Sequence, residues 1–234
     1  MKTQTKHVAF LICALVVFGS NAFAQSTVYN FDYLYQLEMT HKRKTATLNY
    51  YLPLDGDYIG FDTTPARSKG EILTILNLST NQAEMYMNNG DDKTRMKSPL
   101  NMKKLLVDIL KEQPTNVELT GRKKEILGYK CIEFLVTGPD MKSKIWVTEE
   151  APVTFSEKLI YNLGFYRYVN DRRIDNPFNS EEDWLRAQQG LVLEMEITTK
   201  INSRRPKQHA WKCTIFKKIS KTIDPNTYEN ILGF

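Results

Sequence analysis

Apolar and polar residues alternate with a period of two along most of the chain, a pattern typical of half-buried β-strands. The longest such run lies at 29–39, where Tyr, Phe, Leu and Met alternate with mainly polar residues. Shorter runs end at turn-forming residues, such as the Asn, Gly and Asp cluster at 88–92. The pattern predicts antiparallel strands at 29–40, 45–52, 57–62, 71–78, 83–87, 93–97, 116–120, 125–127, 129–137, 143–148, 191–200 and 208–220.

Three segments predict helices instead. Apolar residues at 101–112 recur at intervals of three and four. The segment 153–163 follows a proline, and 180–189 begins with carboxylates, which are favourable at a helix N-terminus. No repeat or linker-like stretch divides the chain. The predicted fold class is therefore α+β, mainly β, with a single domain at 25–234.

The first 24 residues predict a Sec signal peptide. Lys2 and Lys6 precede an uncharged apolar run at 8–18, and Ala-Phe-Ala at 22–24 provides a small-x-small cleavage site. That run is about half as long as a membrane-spanning helix, and no later segment approaches such a length. We therefore expect an exported protein whose mature chain starts at Gln25 and works in the periplasm or outside the cell.

The charge distribution does not favour a nucleic-acid partner. The chain has 32 Lys and Arg residues against 27 Asp and Glu residues, and its basic groups are short and scattered. Nucleic-acid-binding proteins instead concentrate basic residues on one face. A weaker interpretation of these basic groups is contact with anionic lipid or glycan at an envelope surface.

Two cysteines follow the signal, and an even number in an oxidising compartment permits a disulfide. Strand parity places Cys131 on the side opposite to Ile132 and Phe134, which predicts that it points outward. Cys213 shares the inward parity of Trp211. Opposite parity suits a bridge poorly, so two separate thiols are favoured and a disulfide is the alternative.

The sequence shows no catalytic or metal-binding constellation. His41 and His209 have no metal-ligand companion nearby in the sequence, and nucleophile motifs and glycine-rich phosphate loops are absent. Acidic pairs at 91–92, 149–150 and 181–182 lie at turns or at a helix start, where carboxylates are usually solvated. We expect no enzyme activity, no cofactor and no metal. A buried acid beside an aromatic-lined cleft would revive the weakest alternative, a hydrolase.

The aromatic strand at 29–39 has two interpretations. Its rings either pack in a core or form a wall of an apolar ligand cavity, for which tyrosine supplies an apolar body with a polar tip. The pattern alone does not separate the two. The candidate cavity residues are Tyr29, Phe31, Tyr33, Tyr35, Leu48, Tyr50, Phe134, Trp146 and Trp211.

Residues 120–134 (TGRKKEILGYKCIEF) and 144–149 (KIWVTE) resemble the central motif of an uncharacterised family of exported proteins, domain of unknown function 4412, which occurs mainly in Bacteroidetes-type bacteria. Gly-Leu-Val-Leu at 190–193 and Ile-Asp-Pro at 223–225 are similar to the family as well. A related exported family carries Gly-Leu-Pro-Gly-Leu-Ile instead, which favours the first family.

The resemblance implies a fold similar to the periplasmic lipoprotein carrier type. Such a fold is a strongly curved antiparallel sheet, an incomplete barrel, with a few helices that cover its open side. Residues 166–189 look like an insertion relative to compact members. No activity is established for the family, so the resemblance brings no catalytic residue to this chain. We expect Gly128 in the motif to adopt a backbone conformation that other residues resist.

Two functions follow from these observations. The leading hypothesis is a non-enzymatic envelope protein that binds a lipid or other amphiphile in the concave face of the sheet. The alternative is a structural or interaction protein with a solid core, which contacts an envelope protein partner through an exposed sheet edge or apolar patch.

Overall fold

The computed structural model describes residues 28–41, 44–62, 70–99, 116–153, 190–199 and 206–231. The predicted signal peptide at 1–24 and the predicted insertion at 166–189 lie outside these residues. The described strands are β1 (Tyr29–His41), β2 (Lys44–Leu52), β3 (Tyr58–Asp62), β4 (Glu71–Asn77), β5 (Gln82–Asn88), β6 (Lys93–Pro99), β7 (Asn116–Ile126), β8 (Tyr129–Gly138), β9 (Met141–Thr148), β10 (Leu191–Thr199), β11 (Lys207–Ile223) and β12 (Glu229–Asn230).

The fold class predicted from the sequence was wrong. The described chain is nearly all β, and its one helical element is a 3-10 turn at Pro225–Thr227. The helices predicted at 101–112 and 180–189, and nearly all of 153–163, lie outside the described residues. Within the described part, no helix covers an open side of the sheet, because bends bring the strands themselves over one another. No helix in that part is long and apolar enough to cross a membrane.

One open sheet contains all the described strands, in the order β12-β6-β5-β4-β3-β2-β1-β11-β10-β9-β8-β7. The neighbours are antiparallel except β12 and β6, which are parallel. Strands that follow one another in the chain pair with each other from β1 to β6 and from β7 to β11. The two halves are joined by β11, a strand of 17 residues that pairs with β1 on one side and β10 on the other.

Aromatic contacts show that the sheet bends in both halves. Strands β8 and β11 are three spacings apart, about 14 Å in a flat sheet, yet the Tyr129 and Phe216 ring centroids lie 5.7 Å apart. Strands β1 and β5 are four spacings apart, about 19 Å in a flat sheet, yet the Tyr29 and Tyr86 rings lie 6.3 Å apart. The bends therefore bury both faces of parts of the sheet.

Residues 224–231, which we call the C-terminal strap, connect the two extremes of one bend. They leave the end of β11 and place Glu229 and Asn230 beside Thr94 and Arg95 of β6. The Asp224 side chain accepts a hydrogen bond from the Asn226 N–H at 2.9 Å and caps the 3-10 turn. Six residue steps span at most about 21 Å, so the end of β11 lies close to β6 although six strand spacings separate them in the sheet order.

Three cores of buried side chains result. The first core contains Tyr35, Leu37, Leu52, Ile59, Ile126, Cys131, Val153, Leu191, Leu193 and Cys213. The second core contains Val117, Phe134, Val136, Ile145, Val147, Val192 and Met195. The third core contains Tyr29, Phe31, Leu73, Ile75, Tyr86 and Ile223, with Tyr228 of the strap packed against it.

Two glycines shape the motif that resembles the family. Gly128 has a φ of 84° and follows Leu127 with a φ of 53°, as a two-residue hairpin turn between β7 and β8 requires. Gly121 has a φ of 74° and lies in a bulge, where the pairing register shifts between Leu119 and Lys123. The positive φ of Gly128 confirms the prediction that this position needs a conformation other residues resist.

Candidate functional site

Three aromatic side chains from β8, β11 and β1 form a stack. The Tyr33 and Phe216 rings are 5.3 Å apart and 17° from parallel. Tyr129 meets Phe216 edge-on at 5.7 Å. All three side chains are only half-buried, so each ring contacts its neighbours and keeps part of its surface accessible.

The aromatic surface continues across β1, β2 and β3. The Tyr35 and Tyr50 rings lie 6.2 Å apart, and so do the Tyr50 and Phe61 rings. Tyr35 is 1% exposed and donates a hydrogen bond to the Val192 carbonyl oxygen at 2.8 Å. Burial raises the pKa of Tyr50 from 10.0 to about 12, so its hydroxyl stays neutral well into the alkaline range. We call these six residues the aromatic band: Tyr33, Tyr35, Tyr50, Phe61, Tyr129 and Phe216.

The band includes three of the nine predicted cavity residues, Tyr33, Tyr35 and Tyr50. Two more lie beside it, because Trp146 and Trp211 pack against the first core. Trp211 also packs against the second core. The structure therefore brings five of the predicted residues together around one apolar region.

The other four predicted residues lie elsewhere or at the margin. Tyr29 and Phe31 are 2% and 1% exposed and belong to the third core rather than to the first. Phe134 is buried in the second core. Leu48 is half-buried on β2, opposite Leu37 of the first core.

Sequence reasoning missed Phe61, Tyr129 and Phe216. Phe61 lies on a five-residue strand, which is too short for a clear alternating pattern. Tyr129 reaches the band only because the sheet bends, and Phe216 lies beside the exposed Lys217 and so gives a weak apolar signal. The alternation on β11 is also interrupted, because its register against β1 shifts twice.

A second cluster surrounds Glu84, which is 3% exposed in the third core. Its Oε1 accepts a hydrogen bond from the Tyr29 hydroxyl at 3.0 Å and pairs with Lys97 Nζ at 3.1 Å. Its Oε2 accepts a hydrogen bond from the Tyr86 hydroxyl. Burial is the main cause that raises the pKa of Tyr29 to about 12 and that of Tyr86 further. Glu84 is thus a buried acid among aromatic rings, but both of its oxygens are engaged.

Charged residues of the motif form ion pairs on the second half of the sheet. Lys124 pairs with Glu194 and places its Nζ 4.2 Å from the centre of the Trp146 ring. Glu133 is 1% exposed and pairs with Arg122 Nε at 2.9 Å across the bulge. These contacts hold β7, β8, β9 and β10 in register, which is a structural role for the motif.

Both cysteines are free thiols buried in the first core. The prediction that Cys131 points outward was wrong, since its exposure is 0%. The side of β8 opposite to Phe134 is covered as well, because Leu191 and Leu193 of β10 lie in the same core. Burial raises the pKa of the Cys131 thiol to about 11 and that of Cys213 to about 12, so neither is an activated nucleophile.

The register places His41 directly opposite His209, so the two histidines are neighbours across β1 and β11. Among the described residues, however, no group of three or more His, Cys, Asp or Glu side chains is arranged to hold a metal ion.

An open recess of about 660 Å³ lies at the end of the β10–β11 hairpin. Its described lining is mixed in polarity and includes none of the nine predicted cavity residues. The lining residues are Thr40, Glu196, Ile197, Thr198, Pro206, Lys207, Gln208, His209 and Ala210.

Comparison with solved structures finds remote likenesses to PNGF-II and to a DUF1329 family protein. Two crystal forms of PNGF-II share 13% sequence identity with this chain, with TM-scores of 0.40 and 0.38. They cover 86% of this chain, which spans only 30% and 31% of PNGF-II. A DUF1329 family protein from Desulfovibrio piger shares 10% identity with a TM-score of 0.19, covering 82% of this chain and 87% of its own.

No curated protein matches the chain. Residues 31–155, more than half of the 234 residues, match the family described as Domain of unknown function (DUF4412). The match includes the motif at 120–134 and ends before β10, so it is narrower than the sequence resemblance suggested. The chain therefore belongs to the DUF4412 family.

Proposed function

We propose that this chain is an exported, non-enzymatic envelope protein that binds a lipid or other amphiphile on the aromatic band. The observation that carries the proposal is the partial exposure of the side chains in the band. Five of its six side chains, from five different strands, are half-buried rather than sealed in a core. They are Tyr33, Tyr50, Phe61, Tyr129 and Phe216.

The chemistry of the band fits an amphiphile. Stacked and edge-on rings offer a broad apolar surface, and the tyrosines add neutral hydroxyls that donate or accept hydrogen bonds. The tyrosine hydroxyls are neutral at physiological pH, so the band presents no charge to an acyl chain. The ligand's polar end is free to remain near water, because the band is not closed on all sides.

Native mass spectrometry of the mature protein, purified gently from its own envelope, is the direct test. We expect a discrete mass adduct that extracts as a lipid. A clean ligand-free mass that stays unchanged after incubation with envelope lipids would contradict the proposal.

A fluorescent polyene fatty acid, cis-parinaric acid, tests the location. Phe216→Ala removes the ring that links Tyr33 to Tyr129 and is expected to weaken binding by about tenfold, the effect of losing about 1.4 kcal/mol. Leu54→Ala is the matched control, since Leu54 is an exposed apolar residue that belongs to no core. Equal affinity in both variants would place the ligand away from the band.

The alternative is an interaction protein, and the outer edge of β7 favours it. Strand β7 ends the sheet, and among the described residues its outer side pairs with no other strand. The bulge at Gly121 and the exposed Lys123 limit uncontrolled strand pairing there. If native mass spectrometry shows no lipid, cross-linking from a cysteine placed at Glu118, an exposed residue of β7, should capture a partner in intact envelopes.

A further inference from the structure

Strand β6 carries three basic residues on one face. Lys93, Arg95 and Lys97 alternate along the strand, and they lie opposite Asn88, Tyr86 and Glu84 of β5. Residues that face each other across antiparallel strands share a side of the sheet. This basic face therefore borders the third core and the Glu84 cluster.

Of the three, Arg95 stands out because its guanidinium has buried donor atoms without an acceptor. Its Nε and Nη1 atoms are buried and make no hydrogen bond among the described residues. A guanidinium stays charged at all accessible pH values, so buried donors without an acceptor are unfavourable. Glu84 lies on the same face but does not accept a hydrogen bond from these Arg95 atoms. The described partners of its oxygens are Tyr29, Tyr86 and Lys97.

The C-terminal strap covers this face with few contacts. The Tyr228 ring packs edge-on against Tyr86 at 5.0 Å, and Lys93 Nζ lies 6.0 Å from the centre of the Tyr228 ring. The Ile231 N–H donates a hydrogen bond to the Arg95 carbonyl oxygen at 3.0 Å. The paired segment β12 has two residues, both exposed. Pro225 is the one buried residue of the strap, and Tyr228 packs against the third core, so we expect the strap to open locally at a lower cost in free energy than the strands beneath it.

We propose that Arg95, assisted by Lys93, binds an oxyanion, a phosphate or carboxylate group, beneath the C-terminal strap, which lifts to admit it. Arginine is suited to such groups because its planar donors match their oxygens. The anion supplies the acceptors that the buried Nε and Nη1 atoms lack. This site borders the third core, whereas Tyr33 and Phe216 pack against the first core, so the inference stands independently of the amphiphile proposal.

The test compares sodium phosphate with sodium chloride at matched ionic strength, using the full mature chain. Phosphate is expected to raise the Tm of the wild type, and isothermal calorimetry gives the affinity. Arg95→Gln should weaken phosphate binding by about tenfold or more, because charge-assisted hydrogen bonds are lost. Lys123→Gln removes the same charge from an exposed site on β7 and should leave the affinity unchanged.

Tyr228→Ala provides a second variant that keeps Arg95 and loosens the strap. Because closure competes with access, we expect this variant to bind phosphate more tightly than the wild type. If circular dichroism shows that Arg95→Gln does not fold, phosphate binding by Tyr228→Ala still tests the anion site. Weaker phosphate binding by Tyr228→Ala would overturn the inference.

Vesicles distinguish the source of the oxyanion. Flotation with phosphatidylglycerol vesicles but not phosphatidylcholine vesicles, abolished in Arg95→Gln but retained in Tyr228→Ala and Lys123→Gln, would assign the group to a lipid headgroup. A phosphate-specific Tm increase without flotation would assign it to a soluble anion. If neither phosphate nor anionic vesicles affect the wild type, Arg95 is not an anion site.

Discussion

Replacing Gly60 with alanine tests the bend that brings the start of β1 over β3. A Cβ at Gly60 would lie 2.8 Å from Cζ and 3.0 Å from Cε1 of Phe31. Since ordinary contact begins near 3.4 Å, the ring must move by about 0.6 Å. Phe31 is 1% exposed and lies 5.6 Å from the Tyr58 ring and 5.9 Å from the Tyr51 ring, so it has little room.

Overpacking of this kind costs about 1–3 kcal/mol, and the lower backbone entropy of unfolded alanine offsets about 0.5 kcal/mol of it. We expect Gly60→Ala to lower the free energy of unfolding by about 1–2 kcal/mol, or the Tm by about 3–6 °C. Urea denaturation followed by circular dichroism measures the change.

The matched partner is Phe31→Leu, which removes the ring atoms that the new Cβ would meet. The double variant Phe31→Leu, Gly60→Ala should be more stable than the sum of the single changes predicts, by about 0.5 kcal/mol or more. Strict additivity would show that Phe31 does not lie on Gly60, and the described crossing of β1 over β3 would be refuted.

Three further outcomes are expected. Gly128→Ala should lose about 1 kcal/mol although its Cβ meets nothing within 4 Å, because the φ of 84° disfavours any side chain; Gly128→Asn should lose less in the same urea assay, and an unchanged Gly128→Ala would disprove the turn. The pKa of Tyr50 is raised from 10.0 to about 12, so its contribution to stability is complete below pH 10 and lost between pH 10 and about 12; Tyr50→Phe should soften the fall of the urea midpoint over that window, and identical curves would contradict its burial. Cys131 and Cys213 should resist Ellman's reagent at pH 8 in the native state and react together in urea, since burial raises their pKa values to about 11 and 12; fast native labelling of either thiol would contradict the first core.

The strands were predictable because their signal is local. The predicted runs at 71–78 and 129–137 correspond to β4 (Glu71–Asn77) and β8 (Tyr129–Gly138), within one residue at each end. The runs at 116–120 and 125–127 form a single strand, because the bulge at Gly121 interrupts the alternation without ending the pairing. A period of two has no information about which distant strands lie side by side, so the pairing of β11 with β1 was not foreseen.

The sequence named three of the six residues of the aromatic band, and one cause explains why Tyr29 and Phe31 are not among them. Tyr29 and Tyr33 have the same parity, so the sequence assigns both to one wall. Between Phe31 and Tyr33, however, the register against β11 shifts, and the start of β1 follows a different bend into the third core. Alternate residues of one strand line the same cavity or core only where the sheet does not bend between them.

The central position of β11 has a consequence for how the chain folds. Tyr29 pairs with Ile223, and the residues between them include every other described strand except β12. A chain made from its N-terminus cannot form the β1–β11 pairing until β11 has been synthesised. Such non-local pairing slows folding, and β1, which is rich in aromatic residues, stays exposed in the meantime. The nascent protein is therefore expected to depend on chaperones until β11 pairs with β1.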